Sequence, residues 1–222
     1  MRRIAVLASG GLDSAVLLAD LARADTVFPV YVAAGLAWEA REQDALRAYL
    51  EAVACDNLQP LTVLEMPSRG LYGEQHWSVA GRAPEYDEPD ETVYIPGRNV
   101  LLIGVTAVWC ALNRVDAIAI GSLDGNPFPD ATPAFFADYG RLLSTALDHP
   151  LEVIAPYRQQ HKEQIVALMP HLPLHLTLTC MAPVEREGAL LHCGACNKCR
   201  ERREAFSRAE VEDRTAYVAI SP

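Results

Sequence analysis

Two short stretches of this chain combine residue types and spacings that could do chemistry. The first is Ser9-Gly10-Gly11-Leu12-Asp13-Ser14, set directly behind the apolar run Ile4-Ala5-Val6-Leu7-Ala8. Adjacent glycines let a chain leaving a buried strand fold back with φ above zero, and Ala15-Val16-Leu17-Leu18 then opens a helix. Backbone N–H groups at such a turn, backed by the positive end of the helix, make an anion site suited to pyrophosphate. Ala8, Ser9, Gly10, Gly11, Leu12, Asp13 and Ser14 would line it. The two serines add hydroxyl donors, and Asp13 either orients the loop or helps to hold magnesium. Neither the Gly-Lys-Ser/Thr ending of the Walker pattern nor the G-x-G-x-x-G of dinucleotide folds is present. An ordinary strand-to-helix turn with an Asp/Ser cap is the competing reading.

The second stretch is Cys180, Cys193, Cys196 and Cys199, with Gly194 between the second and third members. This C-x12-C-x2-C-x2-C array suits tetrahedral zinc, and four thiolates imply a closed structural site rather than an open catalytic one. Disulfides compete with that reading but are disfavoured in a reducing compartment, and an iron–sulfur cluster also takes four thiolates. His171, His175 and His192 lie near in sequence and are expected to be surface or packing residues. Cys55 and Cys110 read as small buried side chains.

Positioning these groups falls to an alternation of strand and helix patterns, which predicts a doubly wound, mostly parallel α/β sheet. Strands are expected over 4–8, 27–33, 61–66, 117–121 and 152–155, and helices over 14–23, 38–54, 100–113, 133–147 and 161–169. Thr132 is the expected N-cap of the fourth helix, and Pro170 ends the fifth. The helix over 100–113 is apolar almost all round and is expected to be buried. Right-handed crossovers place the turn after the first strand at the carboxyl edge of the sheet, where open α/β folds bind ligands. An irregular stretch over 67–96, rich in Gly, Pro and acids, has the length of a functional lid or mobile segment. Arg98 before one helix and Lys162 at the start of another are the cations best placed for phosphate. Asp124 and Asp130 are carboxylates able to accept paired N–H bonds, with a capping role for Asp130 as the alternative.

The 222 residues are 50% hydrophobic and 22% charged, as expected of one compact domain with a small appendage. A formal charge of −10 argues against a nucleic-acid partner, whose phosphates draw affinity from Lys and Arg, and favours a small-molecule substrate. The apolar run before Ser9 is too short for a signal-peptide core and no stretch approaches a membrane span, so a cytoplasmic location is expected.

The loop resembles the SGGxDS turn of the N-type ATP pyrophosphatases, which cut ATP between its α and β phosphates. The wider order runs from that loop through Ile95-Pro96-Gly97-Arg98-Asn99, Gly121, Asp124, Pro129-Asp130 and Lys162 to Leu178-Thr179-Cys180 and the last three cysteines. Over nearly the full length it is similar to the 7-cyano-7-deazaguanine synthase family. That resemblance implies an adenine nucleotide hydrolase-like domain over 1–170 and a zinc-binding helical segment over 171–222 packed on it. It implies ATP, magnesium and zinc as cofactors, a deazapurine-like carboxylate and ammonia as substrates, and a homodimer. Asp13, Arg98 and Lys162 would be catalytic, and Asn99, Asp124, Phe128 and Asp130 would bind the acceptor. The carboxylate would be adenylated and then aminated towards amide and nitrile. The chain differs from the family at Leu12, usually Gln, and at Ala131-Thr132, usually Cys-Arg, which removes a cation beside the acceptor. A tRNA-thiolating pyrophosphatase and a non-catalytic zinc-stabilised nucleotide- or partner-binding protein are the alternative readings.

Overall fold

The computed structural model describes residues 1–218. Its elements in chain order are β1 (Arg3–Leu7), α1 (Leu12–Leu21), β2 (Thr26–Ala33), α2 (Glu39–Ala52), β3 (Thr62–Glu65), α3 (Arg69–Tyr72), α4 (Trp77–Ala80) and α5 (Arg98–Asn113). There follow β4 (Ala117–Ala119), α6 (Pro133–Leu147), β5 (Glu152–Ile154), α7 (Lys162–Leu168), β6 (Val184–Arg186), β7 (Ala189–Leu191) and α8 (Asn197–Arg208). The first five strands form one sheet in the order β3-β2-β1-β4-β5, and every pairing in it is parallel.

Alternation along β1 explains the two-sided core. Ile4 and Val6 face a cluster with Leu17 and Leu18 of α1, Ile165 of α7 and Phe206 of α8, while Ala5 and Leu7 face Ile103 and Ala107 of α5 and Phe136 of α6. Both faces of the sheet are therefore covered, as a parallel sheet requires. The chain runs outward from β1 to β3 and then returns to β4 on the other side of β1. The reversal lies between β1 and β4, and the crevice at a topological switch point is where such sheets take ligands.

The five expected strands and helices all form, with ends shifted by up to two residues. Thr132 caps α6 as expected, its hydroxyl accepting from Phe135 N at 3.1 Å. Two expectations need correction. The helix over 100–113 is buried on one face only, because Val108 is 49% and Leu112 79% exposed while Ile103, Ala107 and Cys110 are fully covered. Cys55 is exposed, lying in the turn beyond α2 where no element packs over it, whereas Cys110 is buried. Residues 67–96 hold the short helices α3 and α4 and a 3-10 turn, and Glu85 bridges to Cys196. Near the C-terminus β6 and β7 form a hairpin, turning at Glu187 and Gly188, both with positive φ.

Candidate functional site

The turn after β1 is shaped by two close approaches. Gly10 has φ +74°, and a Cβ there would stand 2.6 Å from the carbonyl oxygen of Glu42 on α2. Gly121, just beyond β4, lies against the same turn, where a Cβ would meet the backbone of Asp13 and Ser14 at 3.3 Å. Only glycine lets α2 and the β4 end crowd the loop in this way. Gly11 occupies the N-cap position of α1, and Ser14 Oγ donates to its carbonyl at 3.2 Å. The first-turn amides of α1 have no partner within the helix by its geometry, so they face the sheet edge as donors. Leu178 N donates to Gly10 O at 2.8 Å, tying the C-terminal segment to the loop.

A cavity of about 350 Å³ opens over this turn, a size that suits a small ligand. Ala8, Ser9, Gly11, Leu12, Asp13 and Ser14 line it together with Arg98, Asn99, Phe128 and Lys162. Ala8 and Leu12 belong to the core and contribute backbone. Among the described residues, Asp13 Oδ1, Ser122 Oγ and Thr179 Oγ1 are buried without a hydrogen-bond partner. All three residues line this one cavity. Buried polar atoms are rarely left unpaired, and three converging on one space mark where a polar ligand belongs.

Charge is arranged in a row at the rim. Asp13 Oδ2 stands 3.3 Å from Lys162 Nζ, which lies 2.6 Å from Glu201 Oε1, and Glu201 Oε2 lies 2.9 Å from Lys198 Nζ. Burial raises the Asp13 carboxyl, with Lys162 pulling the other way. For Lys162, burial opposes the charge but the carboxylates of Asp13 and Glu201 outweigh it and raise its pKa. Burial would likewise raise Glu201, yet Lys162 and Lys198 hold it down to about 2. Lys162 is thus a fixed cation beside the helix N-terminus.

The acceptor candidates fall in different places. Asn99 and Phe128 line the cavity, and Phe128 stacks on Tyr94 with centroids 5.0 Å apart. Asp124 lines an adjoining polar cavity and faces Arg158 at 3.5 Å. Asp130 is 8% exposed, and its Oδ2 accepts from Asn99 N at 2.9 Å while its carbonyl accepts from Asn99 Nδ2 at 3.0 Å. Its carboxylate therefore caps the first turn of α5, across 31 residues of chain, and orients Asn99.

Other cavity residues carry no motif. Tyr31 Oη donates to Glu42 Oε2 at 2.8 Å, Glu39 accepts from the amides of Ala34 and Gly35, and Trp38 stacks on Trp77 at 5.5 Å. Burial pushes the Glu42 carboxyl up to about 7 against the pull of Arg98. The spacing of Trp38, Glu39 and Glu42 on the first turn of a helix behind a strand end was the available signal. Ser122, Lys198 and Glu201 offered none, since their roles depend on which elements meet at the sheet edge.

The four cysteines converge with all Sγ atoms within 4.8 Å of one another, and none is in a disulfide. Cys196 and Cys199 sulfurs are 3.5 Å apart and those of Cys193 and Cys199 3.9 Å. A tetrahedral zinc with Zn–S bonds of roughly 2.3 Å needs sulfurs about 3.8 Å apart. The set fits one zinc ion, whereas a polynuclear cluster would hold the sulfurs further apart. Backbone amides of Cys193 and Ala195 donate to Cys180 and Cys193 sulfurs, as expected of thiolate ligands. His171 and His175 are exposed, and His192 packs edge-on against Tyr217 with Nε2 3.2 Å from Thr177 O.

The family model described as "Queuosine biosynthesis protein QueC" matches residues 3–210. A 7-cyano-7-deazaguanine synthase of Methanothermobacter thermautotrophicus is 28% identical over 98% of this chain and 99% of its own length. One from Methanothrix thermoacetophila is 29% identical over the same shares. A third, from Rhizobium etli, is 34% identical over 59% of this chain and 56% of its own length. Among solved structures, a predicted subunit of tRNA methyltransferase from Methanocaldococcus jannaschii aligns with a TM-score of 0.48 at 12% identity, covering 98% of this chain and 93% of that one. No helix among the described residues is long and apolar enough to cross a membrane.

Proposed function

The chain belongs to the QueC family of queuosine biosynthesis proteins, and from this premise we propose that it is an ATP-dependent carbon–nitrogen ligase acting on a deazapurine carboxylate. In this reading the acid is 7-carboxy-7-deazaguanine or a near analogue, ammonia is the second substrate, and the product lies towards 7-cyano-7-deazaguanine. Residues 1–170 form the nucleotide domain and 171–222 the zinc-bearing appendage of a cytoplasmic homodimer.

A carboxylate is a poor electrophile because its leaving group would be oxide. Attack by its oxygen on the α phosphate of ATP expels pyrophosphate and turns that oxygen into part of AMP, which ammonia can then displace. Stabilising the departing pyrophosphate is the main task. Loop amides and the Ser9 hydroxyl would receive it, Ser14 Oγ already holding the Gly11 carbonyl, with Lys162 and Arg98 supplying positive charge. Asp13 Oδ1, buried and unpaired, is the oxygen that would hold magnesium, which neutralises phosphate charge when bound. Asn99, held by Asp130, and Phe128 would orient the acceptor, with Asp124 at its outer edge. Cys180, Cys193, Cys196 and Cys199 would hold zinc as a structural staple.

The observation that carries this reading is the convergence of Asp13 Oδ1, Ser122 Oγ and Thr179 Oγ1 on a cavity that the β1 turn and Lys162 also line. Of the departures from the family, Leu12 borders this cavity, whereas Ala131 and Thr132 do not line it. Leu12 and Ala131 are fully buried, and Thr132 is spent on capping α6. Losing a charged hydrogen bond at 132 is expected to weaken acceptor binding by about one to two powers of ten rather than abolish it. ATP–pyrophosphate exchange with 7-carboxy-7-deazaguanine tests the proposal. Exchange that depends on the acid supports it, and none at millimolar acid despite ATP binding overturns the substrate assignment.

A further inference from the structure

The row Asp13, Lys162, Glu201, Lys198 draws its last two members from α8, the helix that starts inside the cysteine cluster. Cys196 is the N-cap of α8 and Cys199 lies in its first turn, so Lys198 is fixed between two members of the cluster. One turn on, Glu201 reaches Lys162 with one carboxylate oxygen and Lys198 with the other, at 2.6 and 2.9 Å. One carboxylate thus holds two ammonium groups side by side. Both lysines line the cavity over the β1 turn and also the adjoining polar cavity that includes Asp13 and Gly121. Arg202 anchors the same helix from behind, donating to Thr215 Oγ1, Thr177 Oγ1 and Leu174 O. A structural zinc arm does not by itself require a lysine at the wall of this cavity.

We infer that Lys198 is a phosphate-contacting residue of this enzyme, a second ammonium beside Lys162 on the β and γ phosphates, positioned by Glu201 and by the cysteine cluster. This rests on the adenylation reading. In that step an oxygen of the acid forms a bond to the α phosphorus, and the bond from that phosphorus to the oxygen bridging to the β phosphate breaks. The electron pair leaves with pyrophosphate, and no proton moves. Negative charge therefore accumulates on the leaving group, on the side of the cavity that the Lys162 and Lys198 ammonium groups line. The cysteine-bearing arm then supplies part of the nucleotide site as well as stability.

Calorimetric binding of inorganic pyrophosphate and of AMP to the zinc-loaded chain tests the inference without any acceptor acid. Lys198→Gln is expected to weaken pyrophosphate binding about tenfold to a hundredfold, the scale of one charged hydrogen bond, with AMP binding unchanged. Lys198→Arg, which keeps the charge, is expected to stay within about threefold of the parent. A loss of less than tenfold in Lys198→Gln would overturn the inference. Should that variant lose its metal, the crystal structure of the parent with pyrophosphate decides. Lys198 Nζ within hydrogen-bond distance of a phosphate oxygen supports the inference, and a separation beyond it overturns the inference. A parent chain that binds neither pyrophosphate nor AMP would bring down the adenylation reading itself, a result distinct from failure of Lys198 alone.

Discussion

Lys162 Nζ lies 3.3 Å from Asp13 Oδ2, joining the first turn of α7 to the first turn of α1 at the edge of the sheet. The pair leaves Asp13 Oδ1 unpaired in the cavity while Lys162 stays charged at any ordinary pH. Asp13→Asn keeps the shape but removes the charge that holds Lys162 and would bind magnesium. Its acid-dependent ATP–pyrophosphate exchange is expected to fall at least about a hundredfold, with circular dichroism unchanged. Exchange within a few-fold of the parent would take Asp13 out of the mechanism.

Metal analysis is expected to return about one zinc per chain, and a strong chelator to lower the melting temperature, because a closed four-thiolate site contributes folding energy. Cys55→Ala and Cys110→Ala are expected to retain the metal. Iron with acid-labile sulfide in the purified protein would contradict the tetrahedral fit of the sulfurs.

Glu42 makes the stability depend on pH. Its carboxyl titrates near 7 in the folded chain, above its ordinary 4.5, so between those values the folded state holds a proton that the unfolded state has lost. Stability from this group therefore falls as pH rises through that window and levels off above it. Glu42→Gln cannot ionise, and its melting temperature should drop less than that of the parent between pH 5 and pH 8. Equal drops would show that Glu42 does not set the slope.

Arg202 is 1% exposed and donates to three acceptors, Leu174 O and Thr177 Oγ1 in one turn and Thr215 Oγ1 further along the chain. Arg202→Met fills much of the volume but removes three charged hydrogen bonds, Leu174 O keeping its bonds from Thr177 N and Oγ1, at a cost of about 3 kcal/mol. For a chain of this size that corresponds to a melting temperature lower by on the order of 10 °C. A shift of only a degree or two would mean that water or rearrangement replaces the lost bonds.

The sheet was legible because β1 to β5 and the helices between them carry the two periodicities cleanly, and the turn at Gly10 could only follow a buried strand. The cysteine array was legible from spacing. Less of the cavity wall could be read. Asp130 and Asn99 pair across 31 residues, and Ser122, Thr179, Lys198 and Glu201 meet the loop only because β4 ends and α8 begins beside it. The one-sided burial of α5 leaves no mark in the sequence because Val108 and Leu112 are as apolar as the face that packs. The β6–β7 hairpin turns at Glu187-Gly188, a pair without the Asn-Gly or Asp-Gly signal that marks such turns.

The hydrogen bond from Leu178 N to Gly10 O spans 168 residues of sequence. During synthesis the β1 turn emerges first, yet its outer wall is added only when the last fifth of the chain has been made and has docked. A nascent or C-terminally clipped chain should therefore expose an unfinished turn with little grip on nucleotide.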